Sequence, residues 1–274
     1  MKTVLINGEH LSIVACNDRG LQYGDGLFET IAFKNARLQF WHEHLARMHR
    51  GCERLGLRPV TEQQWLADIA KLDLSGDAVI KLMLTSGSGG RGYRRADPVS
   101  TTRLVAAYDF PDYPASNRDG VQLRMCNTPV SMNSALAGIK HLNRLDSVLA
   151  RNEWQDDSIA EGLMCDDLGH VVEGTVSNVF GVQNHALYTP VLKRSGIEGI
   201  IRQQVIELAK ASDLVVQQVA ISREQLLQMD EVFLTNSLIG IWPVIQIDKQ
   251  FYEKGEVTAM LMERLDMEQG AYAL

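Results

Sequence analysis

The sequence predicts an α+β protein of two lobes, on three observations. Strand-like apolar runs come in short clusters instead of alternating strictly with helices, two runs in the first half carry helical periodicity, and turn formers crowd into one stretch near the middle. The 274 residues, 45% apolar and 22% charged, suffice for a large core and exclude a disordered or fibrous chain.

Taken in order, Lys2–Asn7 reads as a strand closed by the Asn7-Gly8 turn, and Thr30–Lys34 as another. From Trp41 a helix is predicted, because Trp41, Leu45, Met48, Cys52 and Leu55 form one apolar stripe, with Arg47 off it. Thr61 as N-cap, with Gln64 at the capping-box position, opens a second helix carrying Trp65, Leu66, Ile69 and Leu72. Val79–Thr85 is again a strand. Pro111, Pro114, Asn117 and Gly120 mark Tyr108–Gly120 as the break in periodicity, which divides the chain into a smaller α+β domain (1–110), a linker (111–120) and a larger α+β domain (121–274) that carries Lys140. Beyond it the pattern predicts strands at Val121–Cys126, Gly162–Cys165, Val179–Val182, Leu187–Tyr188, Leu214–Val219, Glu231–Thr235 and Val244–Ile247. Helices are predicted across Leu142–Trp154, Ile200–Lys210 and Val257–Leu265. Their antiparallel-looking clusters argue against a doubly wound sheet.

Net charge and cysteines narrow the function classes. At -7, with basic pairs such as Arg94-Arg95 isolated, the chain lacks the clustered cations of a nucleic-acid binder. No apolar run is long enough for a membrane span and no basic start with an apolar run marks a signal peptide, so no membrane partner is expected and the reading is cytoplasmic. Cys16, Cys52, Cys126 and Cys165 are far apart and read as reduced thiols. His42-Glu43-His44 suits a metal poorly, since neighbours at i and i+2 on a helix face different ways; no metal is expected.

Four stretches carry chemistry. Ser86–Tyr93 is a glycine-rich loop after a strand; it lacks the P-loop ending and any following amphipathic helix, and Arg91 and Tyr93 offer donors for a carboxylate. In Gly138–Asp146, Lys140 follows a small, apolar segment, where desolvation makes a lysine nucleophilic toward an aldehyde. Glu173, ahead of Ser177-Asn178 and a strand, either caps a turn or pairs with a protonated ring nitrogen. Ser195–Arg202 is a glycine-rich turn opening a helix, a geometry that binds phosphate, and Thr235-Asn236-Ser237 adds hydroxyl and amide donors. A lysine for an imine, an acid for a ring nitrogen, and a helix start with an arginine for a phosphate together call for pyridoxal phosphate.

With these residues in place, the chain resembles the fold type IV pyridoxal phosphate enzymes, the class of the D-amino acid and branched-chain aminotransferases, over essentially its whole length. The resemblance rests on Asn17-Asp18-Arg19-Gly20, Tyr23–Thr30, the helix with Arg47, Glu173 with Ser177-Asn178, and Gly199-Ile200-Ile201-Arg202. It implies that Lys140 bonds the cofactor, that Glu173 faces the pyridine nitrogen, and that Arg47, Ser237 and the backbone of Ile200 and Ile201 hold the phosphate, with Ser177 and Asn178 also at the cofactor. Gly87–Tyr93 with Ala137–Leu145 resembles the aminodeoxychorismate lyases among them, which carry arginine where this chain has Ser86.

That resemblance implies conversion of 4-amino-4-deoxychorismate to 4-aminobenzoate and pyruvate, toward folate, by a homodimer. Lys140 is then the base, and Lys140 or Thr30 the donor of the proton to the enolpyruvyl methylene. For the substrate carboxylates Arg91 is the first candidate, with Tyr93, Asn236 and Lys81 behind it; Lys81 points either into the site or to solvent. The alternatives are a D-amino acid or branched-chain aminotransferase and a noncatalytic two-lobed binding protein.

Overall fold

A computed structural model describes residues 3–95, 97, 100–268 and 271–273. The chain opens on β1 (Thr3–Ile6), a short helix α1 (Arg19–Tyr23), β2 (Gly26–Lys34), β3 (Arg37–Gln39), α2 (Trp41–Leu55), α3 (Glu62–Ile69), β4 (Ala78–Thr85) and β5 (Thr102–Asp109). After a 3-10 turn at Ala115–Arg118 come β6 (Val121–Met125), α4 (Leu145–Arg151), β7 (Ile159–Cys165), β8 (His170–Gly174), β9 (Asn178–Gln183), β10 (Ala186–Pro190) and α5 (Ile200–Ala211). The remainder is β11 (Val216–Val219), β12 (Ile221–Ser222), α6 (Arg223–Leu227), β13 (Glu231–Asn236), β14 (Gly240–Ile247), β15 (Gln250–Phe251), α7 (Glu256–Met267) and β16 (Ala271–Ala273). Helices and sheets mix as an α+β protein requires. Two compact units result: Met1–Pro111 with Ile139–Asn143 and Gly270–Leu274, and Asp112–Gly138 with Arg144–Gln269.

In the first unit the sheet runs β1-β5-β4-β2-β3-β16, every pair antiparallel. Alternation along β2 sends Leu27, Glu29, Ile31 and Phe33 into the interior and leaves Phe28 and Thr30 half-buried on the other face. Helix α2 covers the first of these faces. Its stripe residues Trp41, Leu45, Met48 and Cys52 are buried as their spacing predicts, and Gly51 lets it approach, since a Cβ there would sit 2.7 Å from Leu27 Cδ1. The Thr61–Gln64 capping box opens α3 as expected, with Trp65 and Ile69 buried.

The second unit's sheet runs β11-β10-β9-β13-β14-β6-β7-β8-β12, with β15 on β14. It departs from the antiparallel expectation: β10 with β11, β14 with β6, and β6 with β7 pair in parallel. Val121, Leu123, Leu163, Val179, Val232, Leu234 and Val244 build its core, and α5 and α7 pack on each other and on β13.

Three expectations shift. Residues 139–143 do not start a helix, because they are strung along the beginning of β2: the Phe28 N–H donates to the Lys140 carbonyl at 3.0 Å, the Leu142 N–H to Gly26 O at 3.0 Å, and Leu27 bridges His141. Lys140 therefore groups with the first unit, where the division at 111–120 set it in the second, and α4 waits until Leu145. Strand β8 carries no alternation that periodicity could detect, and Glu173 lies inside it instead of flanking a strand. Of the strand read at the N-terminus, Lys2 lies outside the described residues.

Candidate active site

The half-buried face of β2 in the first unit gathers the lysines. Lys140 Nζ stands 4.4 Å from the centroid of the Phe28 ring, and Lys81 Nζ stands 5.4 Å from the same ring. Both ammonium groups gain cation–π attraction there. Thr30 follows Phe28 on this face and is registered opposite Lys81, so strand alternation turns Lys81 toward Thr30.

On the other face, Arg47 enters the interior although it lies off the apolar stripe, because Glu29 waits for it. Arg47 Nε donates to Glu29 Oε1 at 2.8 Å and Nη2 to Oε2 at 2.5 Å, while His44 Nδ1 lies 2.6 Å from Oε2. Burial pushes the Glu29 carboxyl up, and the Arg47 charge and hydrogen bonds overcome it, holding the group at about 2. Burial pushes His44 below its ordinary value against the pull of Glu29, with Arg47 and Lys140 adding to the fall. A neutral His44 then donates from Nδ1 and leaves Nε2 buried with no partner among the described residues. The sequence offers Glu29 only within the Tyr23–Thr30 motif and His44 only within the rejected metal cluster; their pairing with Arg47 had two further signals, an acid inside the apolar run GLFETIAF and His44 three residues before Arg47 on one helix. His42 goes elsewhere, 3.7 Å from Glu62 at the surface, so the histidine pair does not converge.

The glycine loop after β4 belongs to this unit. Arg91 and Tyr93 are both exposed, while Ser86 is buried and donates to Asp25 Oδ2 at 2.6 Å. Position 86 is thus a framework position here.

In the second unit, Glu173 is buried on β8 and its Oε2 accepts from the Ile197 N–H at 2.8 Å. Arg144 feels the same carboxylate: burial pushes its guanidinium down, and Glu173 and Asp146 pull it back up. Ile197 continues into Gly199, the N-cap of α5, where a Cβ would meet Asn178 Oδ1 at 2.1 Å. Asn178 holds this turn by donating from Nδ2 to Ile197 O at 2.8 Å. The first amides of α5, at Ile200 and Ile201, have no acceptors inside the helix and sit at its positive end. Ser237 is half-buried in the turn after β13. Asn236 spends its amide on the protein, Oδ1 accepting from Leu238 and Ile239 and Nδ2 donating to Val176 O at 3.3 Å. Ser177 likewise donates to Glu161 Oε2 at 2.9 Å. Sequence reasoning missed Glu161, buried at the centre of this turn, where it also accepts from Thr175 Oγ1 at 2.6 Å and from the N–H groups of Gly162, Thr175 and Val176. Its signal was an acid inside the strand IAEGLMC.

Known proteins are similar to this chain in sequence and fold. The family model for amino-transferase class IV matches residues 26–247. The aminodeoxychorismate lyase of Vibrio harveyi is 34% identical across 95% of this chain and 98% of that protein. The D-alanine aminotransferase of Bacillus licheniformis is 29% identical across 92% of this chain and 90% of its own. Among solved structures, the 4-amino-4-deoxychorismate lyase of Pseudomonas aeruginosa superposes with a TM-score of 0.91 at 38% identity, covering 97% of this chain and 99% of that one. A family model spanning most of the residues, joined to a relative matched nearly end to end, leaves one conclusion: the chain belongs to the class IV aminotransferase family.

Proposed function

We propose that this chain is a pyridoxal phosphate-dependent lyase that converts 4-amino-4-deoxychorismate to 4-aminobenzoate and pyruvate. The observation that carries the reading is the Phe28 face, where Lys140, Lys81 and Thr30 stand together on one side of β2. The residues present fit the cofactor: α5 opens with amides its own helix cannot satisfy, at a turn too tight for a Cβ at Gly199, Glu173 supplies a buried carboxylate, and His44 keeps a ring nitrogen with no partner among the described residues. In this reading Lys140 bonds the cofactor's aldehyde carbon, Glu173 faces its ring nitrogen, and Arg47, Ser237 and the amides of Ile200 and Ile201 take its phosphate. Ser177 and Asn178 act by fixing the turns around it.

The cofactor, when bound, makes the amine-bearing ring carbon of the substrate acidic. Lys140, its amine freed once the substrate amine takes its place, would then accept the proton from that carbon as general base. The carbon–oxygen bond to the enolpyruvyl group breaks, a proton from Lys140 or Thr30 reaches the methylene, and the ring is left aromatic. All atoms of the substrate appear in the two products, so neither water nor an oxidant is consumed. Arg91 is the first candidate to bind the carboxylates, with Tyr93 and Lys81 beside it; Asn236, its amide engaged, ranks last.

The chain acts as a homodimer in the cytoplasm. Leu145, Val148 and Leu149 lie 73%, 51% and 60% exposed at helical spacing on α4, an apolar strip suited to a second copy. The four cysteines form no disulfide, which suits a reducing compartment. None of the helices among the described residues is long and apolar enough to cross a membrane.

Purified, cofactor-loaded protein given 4-amino-4-deoxychorismate without any keto acid is expected to release pyruvate and 4-aminobenzoate in equal amounts. The similarity to a D-alanine aminotransferase favours the second reading. No pyruvate under these conditions, with turnover of D-alanine or a branched-chain amino acid once 2-oxoglutarate is added, would establish that reading instead.

A further inference from the structure

The glycine loop is short of side chains and yet tied down along its length. The Arg19 N–H donates to Gly87 O at 2.9 Å, the Gly89 N–H to Asn17 O at 3.2 Å, and Ser88 bridges Asp18. Arg19, only 4% exposed, then reaches the far end of the loop, donating from Nη1 to Gly92 O and from Nη2 to Tyr93 O, both at 2.8 Å. Its guanidinium also lies 4.8 Å above the Tyr23 ring, which meets the Tyr93 ring edge-on at 5.5 Å.

What holds Arg19 is Asp25, and Asp25 holds more than Arg19. Its Oδ2 accepts from Arg19 Nε at 3.0 Å, from Ser86 Oγ at 2.6 Å and from Arg95 Nε at 2.9 Å, while Oδ1 accepts from Arg95 Nη2. Arg95 also donates from Nη1 to Leu55 O, in the last turn of α2, where a cation suits the helix dipole. Burial pushes the Asp25 carboxyl up, and the two guanidiniums with the Ser86 hydroxyl bring it to about 2. One carboxylate therefore joins the start of the loop at Ser86, its end through Arg19, and the residue beyond it that clamps onto α2.

We propose that Arg95 is a positioning residue that latches the glycine loop onto Asp25 and the end of α2, and so fixes Arg91 and Tyr93 for the substrate carboxylates. The second half of this statement rests on the lyase reading; the latch itself does not. A bidentate guanidinium is needed because one nitrogen pair must meet Asp25 while the third nitrogen meets Leu55 O, which a lysine cannot do.

The test is Arg95→Met in the full, cofactor-loaded chain, read in two ways. Trypsin cleavage of the Arg91–Gly92 bond is expected to quicken roughly tenfold or more as the opened loop becomes more populated, with the melting temperature nearly unchanged. KM for 4-amino-4-deoxychorismate is expected to rise by a similar factor while kcat stays close to that of the parent chain. Arg95→Lys should fall between the two, and it serves if Arg95→Met loses stability. Unchanged cleavage would overturn the latch. Faster cleavage with an unchanged KM would keep the latch and overturn the part given to Arg91 and Tyr93. If the parent chain releases no pyruvate at all, the lyase reading fails while the cleavage result still decides the latch.

Discussion

Glu29 in the first unit and Glu161 in the second are both buried carboxylates, at 1% and 3% exposure, satisfied by opposite means. Glu29 is met by a guanidinium fork and an imidazole; Glu161 is met by backbone N–H groups and two hydroxyls, with no cation hydrogen-bonded to it among the described residues. The charged cluster places a fixed guanidinium against the strand that carries Phe28 and Thr30. The cluster built on N–H groups and hydroxyls sets the shape of a turn. A buried acid therefore does two different jobs in one chain, and the partner type tells them apart.

The difference is breakable by substitution. Glu29→Gln leaves the Arg47 charge buried without its counterion, and unfolding in urea should show a loss of about 3–5 kcal/mol. The same variant sharpens the pH profile. Glu29 ionises at about 2 in the folded chain against an ordinary 4.5, so below pH 4.5 the unfolded chain takes up the proton first. Its stabilisation is complete above pH 4.5 and is lost as the pH falls toward 2, and Glu29→Gln should flatten that part of the curve. Glu161→Gln keeps an acceptor oxygen but turns an amide N–H toward donors, at a cost of about 1–3 kcal/mol by the same measurement. Equal losses from the two variants would erase the distinction between the clusters.

Local pattern made much of the first unit legible. The α2 stripe, the Thr61 capping box and the strand before the glycine loop all follow from spacing, and Lys140, Glu173 and the α5 start stood out by residue type. What stayed hidden was set by partners far along the chain. Arg47 reads as surface by periodicity and is buried because Glu29, 18 residues earlier, receives it. Lys140 reads as the approach to a helix and lies along β2, a pairing across more than a hundred residues that no local window carries. The glycine loop shows no anchor in its own residues because its tether, Asp25 with Arg19 and Arg95, lies outside it. The parallel pairs of the second sheet were hidden for the same reason: strand direction is decided by connections, not by strand composition.

Lys140 and Lys81 share one aromatic ring, so the most direct test asks which of them bonds the cofactor. Borohydride reduction of the cofactor-loaded chain, followed by digestion and mass spectrometry, fixes the pyridoxyl phosphate group where it was attached. The predicted label is on Lys140, with none on any lysine of a Lys140→Ala variant; label on Lys81 would contradict the assignment of the reacting lysine.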